Sequence, residues 1–208
     1  MSFLGQENVI RLRGLFRDHK QGGKFLLPIG VSVVSLSGAM LSRTRWDTPM
    51  ITLTFKKEKE DRELYVTPKI FAPHKEWFII NYSSPQKCDE RGIPLDMIKI
   101  KNLALHAFGY TMERRDPLIQ GVVDQLQQFI KQDLKVMVKH EKELFIKDGE
   151  PMIHEKGHNS GKPIVLHRVR ILDYGAVEDD LFPAPFNYFD LVQELSSEHQ
   201  LIYNKYVL

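Results

Sequence analysis

One segment constrains the fold of this chain more than any other: DPLIQGVVDQLQQFIKQ, residues 116–132. Asp116 is a residue type that caps a helix, and Pro117 one that opens its first turn. Leu118, Val122, Leu126 and Phe129, with Ile119, Val123 and Ile130, form a broad apolar stripe at helical spacing. On both sides of this helix the period falls to two. In MITLTFKK, Ile51, Leu53 and Phe55 point one way and Thr52, Thr54 and Lys56 the other. VSVVSLSG before it and EWFIINY after it read as further strands. Beyond the helix, Leu134, Val136 and Val138 alternate with Lys135, Met137 and Lys139, and IVLHRVRILDY is another β-branched run.

The connections are legible too. LSRTRWDTP reads as a turn or loop, EKEDRE as a charged hairpin tip, and KDGEPMIHEKGHNSGKP as a long loop between the last two strands. LYVTPKIF reads as a strand with Leu64 and Val66 on one face and Tyr65, Thr67, Lys69 and Phe71 on the other; Pro68 suggests an edge or a bend. Residues 83–115 are mixed, and LDMIKIKNLALHAFGY fits helix or strand. Val9, Ile10, Leu12, Leu15 and Phe16 predict a short N-terminal amphipathic helix. GAVEDDLFPAPFNYF reads as an extended linker, and DLVQELSSEHQLIYNKY as a candidate terminal helix.

The expected class is therefore mainly β with helices (α+β). Three strands, a helix and two strands are the order of an OB-fold, a partly open five-stranded barrel. Residues 1–174 would form this domain, with a core at about 25–173 and an insertion at about 83–115. Residues 175–208 would be an acidic C-terminal extension.

At this point the chain resembles phage-type single-stranded-DNA-binding proteins built on an OB-fold. The segments that carry the resemblance are VSVVSLSGAMLSRTRWDTPMITLTF, DPLIQGVVDQLQQFIKQDLKVMVKHEKELF and KPIVLHRVRIL. It implies a non-enzymatic protein of replication or recombination, working in the cytoplasm (the host's, if phage-encoded). It also implies an acidic tail that recruits replication or recombination proteins. EDDLFPAPF, with Glu178, Asp179, Asp180, Leu181 and Phe182, resembles such a tip in composition, although some two dozen residues follow it.

Charge and cysteine content agree with this reading. Net charge is only +2, but residues 1–60 carry ten Lys/Arg against five Asp/Glu, and residues 175–208 carry one against six. A basic body suits a polyanion, whose condensed counterions it releases. With Cys88 as the one cysteine, no intramolecular disulfide forms, which suits a reducing compartment. No signal-peptide pattern and no apolar run of about 20 residues is present, so a soluble protein without a membrane partner is expected.

Single-strand binding needs cations along the backbone and aromatic faces for bases. The candidates are Arg43, Arg45 and Trp46 in SRTRWD, then Lys56, Lys57, Tyr65, Lys69, Phe71, Lys75 and Trp77. Lys139, Lys156 and Lys162 join them from the later strands and loop. Each has a plainer reading as solvated surface charge or as core aromatic. The expected ligand is single-stranded DNA, or RNA.

One motif points elsewhere. His154, Glu155 and His158 spell H-E-x-x-H, in which two helical histidines hold zinc and the glutamate activates its water; Glu178 stands at the distance of a further ligand in one zincin class. Gly149, Pro151, Gly157, Gly161 and Pro163 oppose a helix there, and the stretch has no apolar stripe. A zinc metallopeptidase thus stands as an alternative, and a β-barrel protein-interaction or virion component as another. The main reading calls for no catalytic residue, metal or cofactor.

Overall fold

The computed structural model describes residues 20–21, 24–58, 69–112, 119–179 and 192–207. Five strands form its frame: β1 (Gly30–Arg43), β2 (Pro49–Lys56), β3 (His74–Ile79), β4 (Asp133–Leu144) and β5 (Val165–Gly175). Two helices, α1 (Leu95–Phe108) and α2 (Ile119–Gln127), lie between β3 and β4, and a third, α3 (Ser197–Val207), follows β5. The class is α+β, mainly β.

The five strands make one antiparallel sheet in the order β5-β4-β1-β2-β3. β1 is long enough to serve two partners. Its first half, Gly30 to Ser35, pairs with β4, and its second half, Ser35 to Arg43, with β2. A bulge between Leu36 and Gly38 separates the halves. It switches the inward phase from Val34 and Leu36 to Ala39, all buried, and a bulge bends its strand and adds twist. A two-residue strand, Val192–Gln193, runs parallel to β4 at His140 and Glu141, beside the stretch of β4 that β1 does not reach.

The curled sheet brings its edges β3 and β5 close without a ladder between them. Glu76 on β3 bridges the seam, its Oε1 accepting the Ile171 N–H at 3.0 Å. The sheet is not closed.

The core lies inside the curl. Ile51, Leu53 and Phe55 are fully buried, as their alternation predicts. α1 contributes Met97, Ile100, Leu103, Ala104 and Ala107, spaced three and four apart on one face. Residues 83–115, read as an insertion whose apolar stretch was helix or strand, thus supply a core helix. Asp96 ties its first turn to β3 by accepting the Ile79 N–H at 2.9 Å, and Gly109 ends it at φ 63°, where glycine has no steric cost. Phe108 stacks on Phe129 at 4.4 Å and 4°, and Tyr110 meets Phe129 edge-on at 5.2 Å, joining α1 to the segment after α2. α2 buries Val122, Val123 and Leu126, the stripe expected of it.

Two expectations change. The strand read at 64–71 is not found at its described end: Lys69 and Ile70 lie outside any strand, and Phe71 makes only an isolated bridge to Phe25. Tyr65 and Pro68 lie outside the described residues, as do the N-terminal helix, Asp116, Pro117, Leu118 and most of the tail linker. The turn expected at LSRTRWDTP is shorter than read, because Ser42 and Arg43 still belong to β1. Among the described residues no helix is long and apolar enough to cross a membrane.

Candidate nucleic-acid interface

The outward face of β1, β2 and β3 follows from their register. Ile51, Leu53 and Phe55 point inward, so Thr52 and Thr54 point out, and their cross-strand partners share that face. One row is Met40, Thr52 and Trp77; the next is Gly38, Thr54 and Lys75. Thr52 is only 6% exposed, while Trp77 and Met40 at either side of it are 57% and 58% exposed. An apolar, aromatic surface running from β1 to the edge strand β3 thus faces solvent, with Lys75 beside it.

At the β3 edge this face drops into a cleft of about 770 Å³ that runs along the open seam. Lys75, Glu76 and Trp77 line it from β3, Arg168, Val169 and Arg170 from β5, and Leu26, Leu27, Ala72 and Pro73 close one end. Within it Glu76 Oε1 also meets His74 Nε2 at 2.7 Å. Beneath the seam Tyr174 packs against Phe55 at 5.9 Å. Burial raises the Tyr174 pKa well above the usual tyrosine value, and the neighbouring carboxylates of Glu76 and then Asp173 raise it further.

The two arginines are paired across β4 and β5. Arg168 Nε lies 2.6 Å from Glu143 and Arg170 Nε 2.5 Å from Glu141, both arginines being about half exposed. Lys139 shares Glu141 at 3.3 Å and is largely covered. Glu141 and Glu143 hold the guanidinium groups in place and also offset part of their charge.

A second aromatic site stands at the β1–β2 turn. Trp46 is 71% exposed, with the Arg45 guanidinium 4.0 Å over its ring. The turn beneath is well fixed. Thr44 Oγ1 accepts the N–H groups of Trp46 and Thr48, both at 3.3 Å, and Thr44 N–H donates to Thr48 O at 2.9 Å. Asp47 takes φ 62° and pairs with Arg43 at 3.0 Å. Both tryptophans of the chain are therefore on the surface.

The remaining candidates divide. Lys56 is exposed at the end of β2. Lys57 Nζ lies 5.3 Å from the Phe71 ring and Lys69 Nζ 5.2 Å from Phe25. Phe71 itself is 6% exposed and does not offer a face to a base, contrary to the expectation for it: it packs against Phe25 at 6.4 Å. Lys156 and Lys162 lie in the β4–β5 connection, Lys156 exposed and Lys162 half-buried.

That connection is where the zinc motif falls, and it is not helical. Ile146–Lys147 and Glu150–Pro151 form a small hairpin whose Asp148–Gly149 turn has φ 52° and 85°. Residues 153–163 then form a second loop, closed by the Ile153–Pro163 bridge and by His154 N–H donating to Lys162 O at 2.9 Å. Gly157 and Gly161 take φ 89° and 83°. His154 and His158 therefore do not stand one turn apart on a helix face. Among the described residues no three His, Cys, Asp or Glu side chains gather as a ligand set.

Of the acidic residues expected to meet partners, Glu178 is exposed and Asp179 closes a turn, its N–H donating to Ala176 O at 3.2 Å. Lys135 Nζ donates to the Asp179 carbonyl, so the tail begins by folding back on β4. Asp180, Leu181 and Phe182 lie outside the described residues.

Sequence reasoning missed Arg168, Arg170, His74 and Glu76. The arginines had a signal: alternation in VLHRVRIL puts both on one strand face. No local signal marks Glu76, because its role depends on two edges meeting 95 residues apart. No protein-family model matches this chain, and no curated protein matches it.

Proposed function

We propose that this chain is an OB-fold protein that binds single-stranded nucleic acid. Strand order and connectivity support the fold: β1 is shared between β2 and β4, helices precede the last two strands, and β3 approaches β5 without a ladder. An OB-fold binds oligonucleotides on the face of its second and third strands and with the loops after strands one and four. Trp77 and Lys75 belong to that face, Arg45 and Trp46 to the first loop, Lys156 and Lys162 to the second.

The observation that carries the reading is Trp77. A half-exposed indole on the edge strand β3, flanked by Lys75 and facing Arg168 and Arg170 across a cleft, offers a stacking face and cations together. Aromatic stacking accepts any base, and cations follow the phosphates, which gives affinity with strong salt dependence. By this reading the protein serves replication or recombination in a phage-like system, and its acidic extension meets other proteins of that process.

Titration with single-stranded oligonucleotides at two salt concentrations tests it, read by tryptophan fluorescence. Both indoles of the chain lie in the proposed interface, so binding at low salt should quench most of the signal and weaken steeply as salt rises. Absence of binding to single-stranded DNA and RNA at low salt refutes the reading.

A further inference from the structure

One glycine on the outward face of the sheet is not required by the backbone. Gly38 lies in β1 beside the bulge and pairs with Thr54 of β2. A bulge calls for glycine where it uses a left-handed residue, but Gly38 has no positive φ. Crowding does not call for it either: a Cβ added there meets only Thr54, at 3.8 Å, an ordinary contact. Glycine inside a strand also marks a place where a ligand approaches the backbone closely, and the surroundings of Gly38 suit that reason.

Cross-strand pairing sets three rows on this face: Ser35 and Lys56; then Gly38, Thr54 and Lys75; then Met40, Thr52 and Trp77. The middle row carries no bulky side chain on β1 or β2, so it floors a shallow trough. Met40 and Trp77, each more than half exposed, stand along one flank. On the other flank the Ser35 hydroxyl donates to the Lys56 carbonyl at 3.2 Å, and the Lys56 side chain is exposed. Lys75, also exposed, stands at the β3 end of the floor. Two of the side chains in these rows are charged, and both are lysines.

Resting on the single-strand reading above, the geometry points to a glycine-floored seat for one base. The base lies over Gly38 and Thr54 against Met40 and Trp77, and its flanking phosphates meet Lys56 and Lys75. All six residues stand on one face of the sheet, because each is paired with, or two residues along a strand from, the outward Thr52 or Thr54. Apolar side chains on one flank and cations on the other match the two parts of a nucleotide. The seat holds no group that tells one base from another, and stacking accepts every base. It selects for strandedness instead: a base stacked inside a duplex must be turned out before it can reach a protein floor.

The test fills the seat without removing a contact or a charge. Gly38→Leu in the full chain is titrated with a fluorescein-labelled oligo-dT dodecamer and read by anisotropy at two salt concentrations. Affinity should fall about tenfold, the scale of one lost stacking contact, with the salt slope unchanged. The melting temperature should hold or rise, since glycine is unfavourable inside a strand. Val33→Leu adds bulk to the same strand on the other side of the bulge, where Val33 is exposed and pairs with Lys135; it should bind as wild type does. A folded Gly38→Leu protein that binds within twofold of wild type overturns the inference and leaves the single-strand reading standing, and so does an equal loss in Val33→Leu. Failure of the wild type to bind this dodecamer or an oligo-rU dodecamer at low salt overturns both. Should Gly38→Leu not fold, Met40→Ala decides: it should bind about fivefold more weakly with an unchanged salt slope, and binding within twofold of wild type overturns the inference.

Discussion

Replacing Trp77 by alanine separates stacking from charge. The indole is 57% exposed, so of the roughly 250 Å² such a side chain can bury, about 140 Å² is free for a ligand. A base covers one face, about 70 Å², worth about 1.8 kcal/mol at 25 cal/mol per Å², inside the range of about 1–3 kcal/mol found for single stacked bases. Affinity for an oligonucleotide should therefore fall about 20-fold. Trp77 carries no charge, so the slope of log K against log salt should not change. Lys75→Ala should act the other way, reducing the magnitude of that slope by about 0.7, the increment of one phosphate contact on a single strand. Anisotropy titrations of the wild type and both variants at four salt concentrations give all the numbers. Because the side chain is more than half in solvent, the Trp77→Ala melting curve should stay close to wild type. The reasoning is refuted if Trp77→Ala binds within twofold of wild type, or if its salt slope shifts as far as that of Lys75→Ala.

Other expectations concern the frame. Ile100 is fully buried on α1, so Ile100→Ala should cost about 2–5 kcal/mol, read as a lower urea midpoint with an unchanged m-value. Tyr174 has its pKa raised by burial and by Glu76 and Asp173. Its contribution is fully present below the unfolded tyrosine value of about 10 and is lost as pH rises through the higher folded value. Thermal melts between pH 9 and 11 should thus show Tyr174→Phe losing less stability than wild type over that window; parallel losses would contradict the assignment. His154 and His158 sit on a loop rather than a helix, so addition of a chelator should leave the melting temperature unchanged, and a drop of several degrees would mean that metal is held there. The Arg168–Glu143 pair is about half exposed, and such pairs contribute about 0–1 kcal/mol; Arg168→Ala should shift the urea midpoint little while weakening oligonucleotide binding.

Much of the frame was legible because burial repeats with a short period. Ile51, Leu53 and Phe55 announced both the strand and its inner face, and the stripe at Val122, Val123 and Leu126 announced α2. α1 was harder, since Met97, Ile100, Leu103 and Ala104 are interleaved with Ile98 and Leu105, and apolar residues on several sides blur a periodicity. Phe71 was misread because its neighbours suggested a strand's outward face, whereas the segment docks on Phe25, a contact across 46 residues. The candidate site was legible where it is local, at Arg45–Trp46 and Lys75–Trp77. The seam was not: it forms where β3 and β5, far apart in sequence, are brought edge to edge by the folded sheet.

The short strand Val192–Gln193 has a consequence for the protein in a crowded cell. Where β1 stops short, the edge of β4 around His140 and Glu141 would offer bare N–H and C=O groups, a template on which another chain could assemble. Two residues from the far end of the sequence occupy that template. A chain shortened before residue 192 would keep its five-stranded sheet and its cleft but lose this cover, and its expected failing is self-association through β4, seen as concentration-dependent growth in light scattering.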